Sequence, residues 1–198
     1  MIFKFSTTKY LKQTILLILT IGCFFTLQGF TFKKEDVKIK DSALTWVGSK
    51  ITGSHEGTIK LKSGYLTLEN NDLVGGEFVI DMASIVCTDL SGKGKASLED
   101  HLKSDDFFSV NKFPTATLKI LNVKKNGLGQ HQVNADITIK GITQEIIFDT
   151  KIKEKTAKAK LIIDRTEFGI IYKSGNFFEE LADKAIYDEF EISIELKF

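Results

Sequence analysis

Strict alternation of apolar and polar residues is the feature that most constrains this chain. Val74, Gly76, Phe78 and Ile80 alternate with Gly75, Glu77, Val79 and Asp81. Val133, Ala135, Ile137 and Ile139 do the same with Asn134, Asp136, Thr138 and Lys140, as do Phe190, Ile192, Ile194, Leu196 and Phe198 with Glu191, Ser193, Glu195 and Lys197. Successive side chains of a β-strand point to opposite faces, so a period of two marks strands with one buried and one wet face. Less regular runs of this kind occupy 43–51, 57–69, 115–124, 145–153 and 156–164. Turn residues fall between the runs at Asn70-Asn71-Asp72, Asn126-Gly127, Lys140-Gly141 and Ser174-Gly175-Asn176. The expectation is an all-β domain of about eight short antiparallel strands, a barrel or a sandwich. No internal repeat, low-complexity tract or linker divides it.

Residues 88–114 break the rhythm. Gly92 and Gly94 read as a flexible loop, and Ser97 as the cap of a short helix with Asp100 at its third position. Leu98 and Leu102 then fall on one helical face, and Phe107 and Phe108 follow before Pro114, the only proline. Adjacent phenylalanines cannot both face inward from a regular strand. This excursion is therefore expected at one end of the fold, as a lid over a ligand or as a plug. A weaker helical candidate runs from Phe177 to Ala182.

At the N-terminus Lys4, Lys9 and Lys12 precede an apolar run from Thr14 to Leu27, and Lys33 and Lys34 follow. A basic region, a short apolar stretch and a polar start form the pattern of a secretory signal peptide, and the run is shorter than the roughly 20 residues of a membrane span. Residues 1–30 are read as a leader and 31–198 as the domain, with the mature chain beginning between Gly29 and Lys34 and carrying no membrane span. A lipoprotein leader ending at Cys23, after Gly22, is the alternative. With the leader gone only Cys87 remains, so no intramolecular disulfide can form and the core must hold the fold.

Composition excludes several function classes. The formal net charge is +1 with lysines and carboxylates interspersed, which gives no row of cations for a nucleic-acid backbone. His55-Glu56 resembles the start of a zinc-protease helix, but the position of the second histidine is Ile59, and no metal site is expected. No nucleophile elbow, phosphate-binding loop or dinucleotide fingerprint occurs. His55, between Gly53 and Gly57, reads as a tie for a turn or as a hydrogen-bonding handle for a ligand's polar head. Arg165 is the only arginine among 27 basic residues, and a rigid five-donor fork in that position suggests a strand-end lock with a nearby carboxylate, or a ligand contact.

An eight-stranded barrel has an interior that is either filled by side chains or holds one small ligand. Phasing the alternation puts Phe78, Ile80, Leu118, Ile120, Ile137 and Ile139 inside, with Ile192 and Ile194. Phe148 joins these as a candidate ligand contact, with Phe107 and Phe108 from the excursion and His55 as the polar member.

The motifs then resemble a known family. Gly53–Gly57 (GSHEG), Phe78–Ile85 (FVIDMASI), His101–Leu118 (HLKSDDFFSVNKFPTATL), Asp136–Thr143 (DITIKGIT) and Ile163–Tyr172 (IDRTEFGIIY) look like the successive signatures of the YceI-like family, in order and across nearly all of the mature chain. Other members read Lys-His-x-Gly near the first signature, whereas here Lys50 and His55 stand apart. The resemblance implies an extended lipocalin-like antiparallel barrel, usually periplasmic or secreted, with an apolar tunnel. It implies a polyisoprenoid, isoprenoid quinone or fatty amide as ligand, with no further cofactor and no catalytic residue set. Two readings stand beside a lipid-binding protein: a filled barrel serving as a scaffold or stress-related adhesion module, and an enzyme acting on a lipid-like substrate. The latter needs His55 or His101 beside a carboxylate and open to the cavity. A homodimer is left open.

Overall fold

The structure, a computed structural model, describes residues 33–178 and 181–198. The leader and the cysteine at position 23 lie outside them. Among the described residues the strands are β1 (Lys34–Lys38), β2 (Asp41–Lys50), β3 (Gly53–Glu69), β4 (Asp72–Cys87), β5 (Thr115–Gly127), β6 (Gln130–Ile139), β7 (Ile142–Lys153), β8 (Thr156–Asp164) and β9 (Ile186–Lys197), with one helix, α1 (Gly92–Lys103). All pairings named are antiparallel, in the order β1-β3-β2-β9-β8-β7-β6-β5-β4, and a further pairing of β3 with β4 closes the ring. The result is an eight-stranded antiparallel barrel of the lipocalin-like kind. Strand β1 lies outside the count: it pairs with Tyr65–Glu69 of β3, where β2 has already turned away. No helix among the described residues is long and apolar enough to cross a membrane.

Closure turns the alternation into a core. Along β6 the odd-numbered residues from His131 to Ile139 are all buried, and Val133 and Ala135 are fully so. The tight connections come where residues tolerate a positive φ. Asn70 and Asn71 (φ 51° and 69°) join β3 to β4, and Lys140 and Gly141 (φ 51° and 76°) join β6 to β7. The turn expected at Asn126-Gly127 falls two residues later: β5 runs through Gly127, and Leu128-Gly129 reverse the chain, with Gly129 at φ 67°.

The excursion differs from expectation at its start. Helix α1 begins at Gly92, with Ser91 in the N-cap position and no side-chain cap, so Ser97 sits mid-helix and the two glycines belong to the first turn. Leu98 and Leu102 pack on the barrel core, and that burial outweighs the poor helical propensity of two glycines, about 1 kcal/mol each. Phe177 and Phe178 are exposed and not helical, positions 179 and 180 lie outside the described residues, and Ala182–Lys184 form a short 3-10 turn.

Arg165 is the structural lock its rarity suggested, but Asp188 is its partner and Asp164 is not. The guanidinium is 3 % exposed. It donates to the carbonyls of Ile170 (2.6 Å), Ile186 (2.9 Å) and Tyr187 (3.1 Å), and to Asp188 Oδ1 (3.2 Å). Asp164 instead caps the 3-10 turn Arg165–Phe168, accepting from the Thr166 N–H at 2.8 Å. Removing one member of a buried charged pair strands the other and costs about 3–5 kcal/mol. Arg165→Met is therefore expected to lower the unfolding free energy by about 3–5 kcal/mol in urea titrations, and Arg165→Lys to recover only a part of it, because one ammonium cannot reach three carbonyls at once.

Candidate ligand-binding cavity

The barrel encloses a cavity of about 250 Å³ with a wall of almost wholly apolar side chains. Leu66, Leu73 and Val133 close the end of the hairpins, and Leu98, Leu102, Phe107 and Phe108 close the other. Between them the space exists because three inward positions carry alanine: Ala116 on β5, with Ala157 and Ala159 on β8. Leucine at those points would fill it.

Every sequence-derived candidate reaches this cavity. Phe78, Ile80, Leu118, Ile120, Ile137 and Ile139 line it from β4, β5 and β6; Phe148 from β7; Ile192 and Ile194 from β9; and Phe107 and Phe108 from the cover. His55 lies at the rim with Ser49, Lys50, Tyr187 and Glu189. The sequence reading missed Trp46, the only tryptophan, which also lines the cavity and is 7 % exposed. Its indole N–H donates to Val86 O at 3.2 Å, and Gly57 of the GSHEG segment makes this possible, since a Cβ there would overlap both that carbonyl and the indole ring. The second glycine of the motif is thus a packing glycine.

At the rim His55 Nδ1 lies 2.8 Å from Asp89 Oδ2. Asp89 also accepts from the Glu56 N–H at 3.1 Å and from the Cys87 thiol at 3.0 Å. The thiol and then the imidazole are the main groups that hold the Asp89 carboxyl well below its usual range. A carboxylate has no proton to give, so Nδ1 carries the hydrogen in this pair. This is an imidazole oriented by an acid, two parts of a nucleophilic set. The nearby thiol is a poor third: Cys87 is fully buried, and burial pushes its pKa up.

The cover is an aromatic cluster. Phe107 stacks edge-on to His101 (5.2 Å between centroids) and to Phe108 (6.0 Å), and His101 stacks on Tyr172 (4.4 Å). The Arg165 guanidinium lies 5.8 Å from the Phe107 ring centre, which ties the cover to the lock. Phe108 is 8 % exposed and packs on Phe190 at 6.4 Å. His101 is thus held among rings, and among the described residues no carboxylate is bonded to it and its buried Nε2 has no partner.

Beyond the hairpin end of the wall, His131 is 3 % exposed and neither ring nitrogen has a partner. Burial lowers its pKa, with Asp72 opposing and Lys125 adding to the effect. No group of side chains suited to a metal ion occurs among the described residues.

The family model described as the YceI-like domain matches residues 34–198. A UPF0312 protein of Vibrio cholerae is 31% identical over 84 residues, 38% of this chain and 44% of that protein. A UPF0312 protein of Yersinia pestis is 32% identical over 68 residues, 34% of this chain and 35% of that one. The matched stretch thus spans less than half the length of these curated relatives. Among solved structures, Burkholderia cenocepacia BcnA has a TM-score of 0.62 at 20% identity, covering 78% of this chain and 94% of its own. A polyisoprenoid-binding domain of Saccharophagus degradans, implicated in plant cell wall breakdown, has 0.55 at 15% identity, covering 83% and 97%. A Campylobacter jejuni YceI protein, solved as a mutant with a monobromobimane guest, has 0.53 at 18% identity, covering 87% and 86%. These three show the fold.

Two measurements check the roles assigned here. Phe108→Ala is expected to cost about 3–5 kcal/mol of stability, as a truncated core aromatic does, and Phe107→Ala less, because its ring is only half-buried. For His131 the folded-state pKa is lowered, so the unfolded chain takes up the proton first, near about pH 6.5. Stability present above that pH is lost as pH falls towards the folded value. His131→Phe should flatten this acid limb in thermal melts recorded between pH 7 and 4.5, and an unchanged limb would assign it to other groups.

Proposed function

We propose that this chain, which belongs to the YceI-like domain family, is an exported carrier that holds one long apolar lipid in its barrel and does no chemistry on it. The observation that supports this reading is the cavity itself: a wall chiefly of aliphatic and aromatic side chains around about 250 Å³, with His55, Lys50 and Glu189 at one rim. Such a void excludes water, and its walls lose dispersion contacts for as long as it stays empty. A lipid tail restores them, and each methylene removed from water contributes about 0.8 kcal/mol before the costs of association.

The expected ligand class is a polyisoprenoid, isoprenoid quinone or fatty amide. The tail runs along Phe78, Leu118, Ile137 and Ile192 towards Leu73, and a polar head rests at the rim. There His55 Nε2 meets a hydroxyl or amide, and Lys50 meets a carbonyl. The polyisoprenoid-binding domain from Saccharophagus degradans, with the same fold, lends support. Export rests on the basic and then apolar N-terminus.

Trp46 gives a direct test, since a quinone in van der Waals contact with an indole quenches its fluorescence. Titration with ubiquinone is expected to quench Trp46 saturably at one equivalent. Ala116→Trp combined with Ala159→Leu, which fills the cavity from two sides, should abolish the saturable component in protein that still unfolds cooperatively. Unchanged binding in that variant would place the ligand elsewhere, and the reading would fall.

A further inference from the structure

The barrel is closed unevenly. Strand β7 is twelve residues long and β8 nine, yet they pair only from Lys153 and Thr156 to Thr150 and Ala159. Each is paired along its other edge: β7 with β6 from Ile142 to Lys151, and β8 with β9 from Thr156 to Asp164. Between Ile142–Asp149 and Lys160–Asp164 no ladder joins the two strands. The top of this seam is bridged by the 3-10 turn Arg165–Phe168, where Gln144 Nε2 donates to Glu167 O at 3.2 Å.

Extending the observed register across the seam would set Phe148 opposite Leu161 and Ile147 opposite Ile162. The first pair faces the cavity, and both side chains line it. The second pair faces outward, 65 % and 62 % exposed. The seam is thus sealed from within by side chains and edged on the outside by two isoleucines. Parting it breaks no cross-strand hydrogen bond, whereas parting β6 from β7 would break a continuous ladder.

We propose that the seam between β7 and β8 is the gate through which the apolar lipid enters and leaves the cavity. The inference rests on the carrier reading above. A long tail drawn through the His55 rim must thread end-on past ionisable groups, Lys50 and Glu189 among them. Through the seam it passes sideways between Phe148 and Leu161, and the exposed Ile147 and Ile162 offer apolar contact at the threshold.

The gate is tested in the full chain carrying Cys23→Ser, Ile147→Cys and Ile162→Cys, bridged by a short reducible bifunctional thiol reagent. Cys87 is fully buried and is left in place. Ubiquinone in phosphatidylcholine vesicles is the donor and acceptor, and Trp46 quenching reports exchange. Bridging is expected to slow uptake and release at least tenfold and reduction to restore them, while ubiquinone loaded beforehand remains bound. A second variant, Ile147→Asp with Ile162→Asp, changes only outward side chains. It is expected to melt like the parent and to slow exchange severalfold at unchanged equilibrium occupancy. Parental exchange rates in both the bridged protein and the aspartate variant overturn the gate and direct entry to the His55 rim. A folded parent that takes up no ubiquinone overturns the carrier reading, and the gate with it.

Discussion

The buried guanidinium of Arg165 is the interaction on which the upper half of this barrel depends. It stands where β8 ends and reaches the backbone at Ile170, Ile186 and Tyr187, so one side chain fixes both ends of the long connection between β8 and β9. Burial works against its charge, and Asp188 and then Asp164 offset that cost. Asp188 in turn accepts from Asn176 Nδ2 at 2.7 Å, so the same charge orders the Ser174–Asn176 turn. Phe107 lies against the guanidinium face. The cover over the cavity is thus anchored to the wall through a cation, and Phe107 also packs against His101 and Tyr172.

Much of this was legible in the sequence, because alternation reports faces. Phe78, Leu118, Ile137 and Ile192 face the cavity as their phase requires. His131 shares the phase of Val133 and Ala135, so its burial was legible too, although nothing in the pattern told that its nitrogens would lack partners. Strand β1 was not legible. In Lys34–Lys38 only Val37 is apolar, and the strand exists because β3 offers it a free edge. The start of α1 was hidden by Gly92 and Gly94, whose low propensity is overridden by the burial of Leu98 and Leu102.

Partnerships between distant residues were the other blind spot. His55 meets Asp89, 34 positions away, and Arg165 meets Asp188 in preference to its neighbour Asp164. Local sequence offers the nearest carboxylate, whereas the ring of strands chooses the partner. The seam was invisible for a related reason. Alternation along β7 and β8 is the same whether or not their facing edges are bonded, since it records which way side chains point and carries no trace of the direction in which N–H and C=O groups point.

An open edge in a barrel is ordinarily a hazard, because unpaired strand groups recruit other chains. Here the hazard is contained. Each strand at the seam is held by a full ladder on its far side, the hairpin holds the base, and Gln144 with the Arg165–Phe168 turn holds the top. The slot is therefore bounded at both ends. The cavity lies directly behind it, with Phe148 and Leu161 in the layer between. Local opening draws on the weakest closure in the ring and leaves the rest of the sheet intact, which is the distribution of stability expected of a part that moves in a protein whose remaining strands stay fixed. The polar rim at His55 lies apart from the slot, on β3. A head group bonded there and a tail leaving through the seam would not compete for one opening, so orientation and exchange of the ligand can be governed by different parts of the same wall.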